Sequence, residues 1–280
     1  MKYCEVLAVT STYWKPGEDY VARLVDALED KLLEGDIVVI SEKAISTATG
    51  NIVDESLIEA GWTAKLLARL WMRHVWARIL GPICHLRRST ISRLRNYPVE
   101  EGSAHKQLAL QHSGFLQALM HGSEGGVDGS NLPYSYVALP LRSANRIAEE
   151  TFSAARTRLK RDFVIMIVDT DKTYSWRSFH FTPRPRPIEG VKSVGGVIAY
   201  CAGRLFKLKK RATPLAITGP RINVEEALEM AEMANRARGF GAGRTVWDMA
   251  NTFGVSLTAV SWEMLDKIQH KPVVIVRLHG

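Results

Sequence analysis

Apolar and polar positions along the 280-residue chain switch between the period of a strand and that of a helix. Glu5 to Val9 reads as a strand, Lys15-Pro16-Gly17-Glu18-Asp19 as a turn, and Tyr20 to Leu33 as a helix with Val21, Leu24, Val25, Leu28 and Leu32 on one face. Gly35-Asp36 ends that helix. Ile37-Val38-Val39-Ile40 then predicts a short buried strand of the kind α/β proteins cover on both sides. Trp62 to Arg95 sets Leu66, Leu70, Trp71, Val75 and Ile79 near helical spacing, which predicts a buried face, with a break at Gly81-Pro82.

The second half continues the alternation. Phe115 to Met120 predicts a strand leading into a glycine-rich loop, His121 to Asn131, and Ser143 to Lys160 predicts a helix with Ser143 as its N-cap. Phe163 to Val168 is the most apolar run and reads as a central strand delivering Asp169-Thr170-Asp171 at its end. Residues 180 to 190 alternate Pro and Arg, which excludes a regular helix or central strand. Asn223 and Glu226 have capping-box spacing ahead of a helix from Val224 to about Ala237. After a glycine-rich link, a helix from Arg244 and a last strand, Val273 to Arg277, close the pattern. The fold class is mixed α and β.

Composition sharpens this only slightly. With 46% hydrophobic and 24% charged residues the chain is an ordinary globular one, not a disordered or collagen-like one. Its 3 cysteines, Cys4, Cys84 and Cys201, suggest neither a disulfide framework nor a zinc site, which favours a reducing, cytoplasmic setting. The start lacks a secretory pattern, and no apolar run reaches the roughly 18 residues of a membrane span.

Charge changes the picture more. Lys and Arg exceed Asp and Glu by 37 − 29 = 8. From Gly61 to Val99 the chain has Lys65, Arg69, Arg73, Arg78, Arg87, Arg88, Arg93 and Arg95 and no acid, so that segment carries the whole surplus. A solvated helix face is the plain reading, and contact with nucleic acid or another anionic surface the lesser one.

Walker-type, G-x-G-x-x-G, H-E-x-x-H and G-x-S-x-G motifs are absent. What remains is two acidic loop positions. Gly125, Gly126 and Gly129 surround Asp128, and Asp169-Thr170 follows the apolar strand. Carboxylate and hydroxyl oxygens suit a hard cation such as Mg²⁺ or Mn²⁺, while an Asx-turn or helix cap is the structural alternative for each. His121 is the one histidine beside the loop. Arg184 and Arg186 suit either a carboxylate or phosphate clamp or a solvated loop. Trp62, Trp71 and Trp76 suit core or dimer packing.

Taken together, Trp14 to Asp19, Gly35 to Ser46 with Gly50 and Val53, Gly126-Val127-Asp128-Gly129-Ser130-Asn131 and Asp169-Thr170 resemble the coenzyme F420-0:L-glutamate ligase family. The resemblance runs from about residue 9 to residue 170 and returns in the last strand. It implies a single ligase-like domain of two lobes with mixed sheets, forming an intertwined homodimer, in which the basic segment 61–104 is longer than in the family. It also implies a ligase that spends GTP: a substrate carboxylate becomes an acyl phosphate, and the amine of L-glutamate attacks it. The acceptor is the deazaflavin cofactor precursor or a related carboxylate, and one or two Mg²⁺ or Mn²⁺ ions assist. Asp128, Asp169 and Thr170 fall at metal-binding positions, and Trp14, Lys15, Lys43, Ser46 and Asn131 at nucleotide-contacting ones. No protein nucleophile is indicated, so the catalytic residue stays unassigned.

The chain departs from the family pattern at Ser46-Thr47, where a lysine is common. It departs again at Asp169-Thr170-Asp171-Lys172-Thr173, where the family continues D-T-F-G-R; Asp171 is a candidate replacement ligand. Gly203-Arg204 matches a later pair but lacks its acidic neighbour. A non-catalytic nucleotide-binding homologue is therefore the alternative reading.

Overall fold

The computed structural model describes residues 4–279. Its strands are β1 (Cys4–Ser11), β2 (Ile37–Ser41), β3 (Ile52–Asp54), β4 (Tyr136–Ala138), β5 (Val164–Trp176), β6 (Phe179–Thr182), β7 (Val191–Ser193), β8 (Lys209–Thr218) and β9 (His270–Leu278). The chain folds as two compact units. The first takes Met1–Ile52, Gly129–Thr170 and Arg211–Gly280, and the second Val53–Asp128 and Asp171–Lys210.

In the first unit β9 lies between β1 and β2, antiparallel to both, while β2 runs parallel to β5 from Ile37↔Val164 to Ser41↔Val168. β8 also pairs with β5. Val38, Ile40, Ile165, Ile167, Val273 and Ile275 share a core with Leu24, Val25 and Leu28 of the helix Tyr20–Leu28 and with Ala148 and Ala155 of the helix Ala144–Leu159. Ile37, Val39, Val164, Met166, Val274 and Val276 are buried as well, and the helix Val224–Arg238 packs on β1 and β9. A sheet covered on both faces leaves no polar positions along its strands, which is why these segments read as unbroken apolar runs. The capping box forms as predicted, Asn223 accepting from the backbone of Glu226 and Glu226 reaching back. Arg277 Nε and Nη2 each lie 2.9 Å from buried Asp36, tying the last strand to the entry of β2.

Several boundaries differ from the sequence reading. The first helix ends at Leu28, not Leu33, yet Leu32 still enters the core because the chain turns back there, Leu32 N donating to the Leu28 carbonyl. Ser143 takes the N-cap position without a side-chain capping bond. β5 does not stop at Val168 but continues to Trp176. Only its pairing with β2 stops there, so Asp169 follows the end of the parallel pair rather than the end of a strand.

In the second unit the later part of β5 pairs antiparallel with β6, Tyr174↔Phe181 to Trp176↔Phe179, which extends the strand past the predicted end; β6 then runs parallel to β7. Tyr174 and Phe181 form one of its core clusters with Ala199 of the helix Gly196–Leu205. A Cβ at Gly203 would stand 2.2 Å from the Tyr174 ring, so only glycine permits that contact.

The basic segment is one long helix of changing pitch: α over Trp62–Leu66, π over Leu67–Leu80, and α again over Gly81–Ile83. Gly81-Pro82 therefore does not break it. Pro82 sits in the first turn of the last stretch, where a missing N–H costs little, and the chain leaves helical geometry only at His85, φ 54°. The buried face is also not the predicted one. Ala64, Ala68, Met72 and Trp76 are buried, whereas Leu66, Leu70 and Ile79 are 39%, 49% and 54% exposed; Trp71 and Val75 are half-buried. Bonding from residue i to i+5 widens the turn, so the inward stripe recurs every four residues or more and drifts off the 3.6 period. Trp71 and Trp76 donate their indole N–H to the Leu119 carbonyl at 2.8 and 2.6 Å, and Trp62 is exposed.

Phe115–Ala118 is a helical turn entered after Gly114 at φ 114°, not a strand. It follows a helix, Val99–His112, whose inward residues are mostly small, so that it lacks the large apolar stripe that announces a helix.

Candidate functional site

In the first unit the candidate residues gather around the carboxyl end of the parallel pair β2 and β5, the position at which open α/β sheets bind ligands. β2 runs directly into the helix Glu42–Ala48. Buried Glu42 accepts from the Leu141 amide at 2.8 Å, and Lys43 Nζ donates to the Ser130 carbonyl at 2.8 Å and to Ser130 Oγ at 2.7 Å. Lys43 is thus fixed against Ser130 near the end of the glycine loop. Asn131 adopts φ 58° and is stitched to the glycine-rich link: its Nδ2 donates to the carbonyls of Phe240 and Gly243 at 3.2 and 2.9 Å, and its Oδ1 accepts from Ala242 N at 2.7 Å.

Asp169 is half-buried beyond the parallel pair, and Thr170 Oγ1 lies 3.5 Å from its Oδ1. Arg238 stands close enough to interact with it. Burial holds that guanidinium down to about 10, and attraction to Asp169 opposes the shift. Arg238 was missed in the sequence because it lies at the far end of a helix that reads as ordinary packing. His270, also missed, stacks on Tyr13 with ring centroids 4.3 Å apart. Burial pushes it down to about 4, with Arg238, Arg23 and Lys43 adding to the depression. Arg23 is ion-paired with Glu18 at 2.8 Å and Arg238 stands beside Asp169, so acids accompany two of these three cations.

The other predicted nucleotide residues are placed differently. Trp14 is buried in the core, near Tyr20 and edge-on to His270. Lys15 is half-buried and ion-paired with Asp266 at 2.7 Å. Ser46 is fully buried, its hydroxyl donating to the Leu139 carbonyl at 2.9 Å, so it serves the helix Glu42–Ala48 rather than an open site. Replacing Asn131 by Ala removes three hydrogen bonds from a left-handed position; the expected loss is about 2 kcal/mol of stability, read by urea denaturation, with Asn131→Asp retaining part of it.

In the second unit the glycine loop is held from beneath. Glu124 is buried between Lys106, at 2.6 Å, and His105, at 3.0 Å, and His105 also reaches Glu55 at 2.5 Å. Lys106 further donates to the Met120 carbonyl. Burial would raise the Glu124 carboxyl, but Lys106 and His105 outweigh it and hold it well below the carboxylate range. Burial would lower His105, yet Glu55 and Glu124 hold it well above its ordinary value. Arg184, 1% exposed, donates to the Gly125 carbonyl. A Cβ at Gly126, where φ is 100°, would lie 2.3 Å from that guanidinium. The arginine of the Pro/Arg segment is therefore a buried brace for the loop, not a solvated clamp, while Arg186 is exposed. Asp128 is half-buried at the end of this loop, and Asp171 is 4% exposed at the start of the unit's share of β5. His121 is half-buried: it contacts Tyr200 OH at 3.0 Å and meets Trp76 edge-on.

Burial pushes His121 down to about 4 as well, so His121 and His270 resist protonation that the unfolded chain accepts near pH 6.5. Stability is expected to fall as the pH drops from about 6.5 toward 4, because the unfolded state then binds more protons. His105 acts in the opposite sense, its contribution fading only as the pH rises through its elevated value. Thermal midpoints across this range test the sign, and a midpoint that rises on acidification refutes it.

Among the described residues no three His, Cys, Asp or Glu side chains gather closely enough to hold a metal ion by themselves. Mg²⁺ commonly uses one or two carboxylates with substrate phosphates completing its shell, a chemistry that the oxygens of Asp169 and Thr170 suit within the first unit and those of Asp128 and Asp171 within the second.

The family pattern that the chain matches is that of amide-forming ligases. The chain belongs to the F420-0:gamma-glutamyl ligase family, whose pattern it matches over residues 9–219. It is also 34% identical to an uncharacterized protein of Methanocaldococcus jannaschii over 283 aligned positions, covering 96% of this chain and 95% of that one. Among the described residues no helix is long and apolar enough to cross a membrane.

Proposed function

We propose that this chain is a GTP- and divalent-cation-dependent ligase of coenzyme F420 biosynthesis that joins the amine of L-glutamate to a carboxylate of F420-0 or a related acceptor. The observation that carries the reading is Lys43 and Asp169 just beyond the end of the parallel pairing of β2 with β5, Lys43 anchored on Ser130 and Asp169 beside Arg238. In the first step a carboxylate oxygen of the acceptor attacks the γ-phosphorus and GDP leaves. In the second the free amine of glutamate attacks the acyl carbon, phosphate leaves, and the nitrogen sheds a proton.

Phosphoryl transfer depends on positioning and charge neutralisation more than on a protein nucleophile, and Lys43 and Arg238 supply fixed positive charge for phosphate oxygens. A bound Mg²⁺ or Mn²⁺ would neutralise phosphate charge, held by Asp169 and Thr170 of the first unit or by Asp128 and Asp171 of the second. Incubation with GTP, Mn²⁺, L-glutamate and F420-0 tests the proposal: mass spectrometry is expected to show acceptor heavier by one glutamyl residue. GTP turnover without that product sinks the acceptor assignment, and GTP binding without turnover favours the non-catalytic homologue. Asp171→Asn is expected to abolish metal-dependent turnover if Asp171 replaces the lost family ligand; unchanged metal dependence removes it from the set.

A further inference from the structure

The basic segment forms a defined cleft of about 760 Å³ within the second unit, lined by Arg69, Leu70, Arg73, His74, Arg78 and Arg95. That volume lies in the range of small-molecule sites. Five of the six lining residues are basic or imidazole side chains, and no acid lies between Gly61 and Val99 to offset them. Arg73 donates Nε and Nη2 to the Tyr97 carbonyl at 2.8 and 2.6 Å, which fixes its guanidinium. The side chains of Arg69, Arg78, Arg95 and His74 make no hydrogen bond or ion pair with any described residue.

The π-winding is what brings these groups together. Arg69 and Arg78 are nine positions apart, two and a half turns of an α-helix, which would set them on opposite faces. With bonding from i to i+5, nine positions make about two turns, and Arg78 returns to the side of Arg69. Arg69 with His74 and Arg73 with Arg78 are each five apart, one step of this bonding, and Arg95 joins them from the next helix, Arg88–Arg95. π-helical stretches are uncommon and cluster at functional sites. Here one converts an alternating charge pattern into a convergent one.

We propose that this cleft is a binding site for a compact polyphosphate anion, either free or as the phosphate tail of a nucleotide. Guanidinium groups match phosphate oxygens bidentately, a cleft of one charge sign concentrates anions, and exposed Leu70 offers an apolar wall for a non-phosphate portion. The short set of lining residues, with Lys65, Arg87, Arg88 and Arg93 outside it, fits a small ligand better than an extended backbone. The assignment does not depend on the ligase reading.

Calorimetric titration of the full chain with inorganic tripolyphosphate, in metal-free buffer at physiological salt, provides the test. The wild type is expected to bind at a single saturable site, and the exposed double variant R69Q/R78Q to bind about tenfold or more weakly. R87Q/R88Q, which removes the same charge outside the lining, is expected to change affinity less than about twofold. Melting temperatures show that both variants are folded. Competition by GTP that R69Q/R78Q weakens in parallel assigns the ligand to a nucleotide tail, and loss of tripolyphosphate binding alone assigns it to free polyphosphate. Absence of saturable binding, equal losses in the two variants, or much tighter binding of a single-stranded RNA that displaces tripolyphosphate overturns the proposal.

Discussion

Glu124→Gln is expected to lower the thermal midpoint by roughly 10 °C. Glu124 is 2% exposed and Lys106 fully buried, 2.6 Å apart, and His105 holds the second carboxylate oxygen. Removing one member of such a network leaves an ammonium in the interior without its counter-charge, which costs about 3–5 kcal/mol, whereas an apolar replacement of the whole pair is far milder. The double variant Glu124→Leu with Lys106→Met is therefore expected to recover much of the loss. Calorimetric melting decides it: a midpoint within a degree or two of wild type for Glu124→Gln refutes the network's role. Because Glu124 directly precedes Gly125 and Gly126, the single variant is also expected to loosen the loop that carries Asp128, seen as faster amide exchange over residues 121–128.

Asp169→Asn is expected to reduce glutamyl transfer by about 10²- to 10³-fold, the usual effect of removing one electrostatic group that acts on developing charge. The substitution keeps the size and burial of the side chain while removing its negative charge beside Arg238. Stability is expected to change little, so the loss belongs in kcat and in the Mn²⁺ concentration giving half-maximal rate. Asp128→Asn is expected to act in the same way in the second unit. Full activity in either variant, at unchanged Mn²⁺ dependence, removes that aspartate from the reaction. A large fall in melting temperature with no change in metal response assigns it a structural task.

In the sheet of the first unit β2, the start of β5 and β9 were legible because their runs are apolar, whereas β8, which opens with Lys209-Lys210-Arg211, gave no such run and was not read; the cap at Asn223 was legible because its chemistry is local. The glycine loop and Asp169 stand out in sequence for the same reason: each combines unusual residue types within a few positions. What failed to show depends on partners distant in the chain. Arg184 braces Gly125 from 59 positions away, and nothing around either residue announces the pairing. Arg238 and His270 join the candidate site only through the fold. The helix of 62–83 misled for a different reason, since its apolar residues fit a 3.6 period well enough to predict a buried face. The actual winding selects Ala64, Ala68, Met72 and Trp76, and leaves Leu66, Leu70 and Ile79 outside. β5 was cut short because Asp169 to Lys172 are polar, while the pairing that carries the strand onward comes from Tyr174 to Trp176.

The placement of β9 between β1 and β2 bears on how the protein is made. Val6 pairs with Val276 and Ile37 with the same residue, so the strand between β1 and β2 leaves the ribosome after both of its neighbours. Until then β1 and β2 have no partner between them, and each waits as an open edge able to pair with the wrong chain. Pairings that span most of the sequence form slowly. Synthesis at low temperature or with chaperones present should therefore raise the yield of soluble protein, and a chain halted before residue 270 should accumulate in the aggregated fraction.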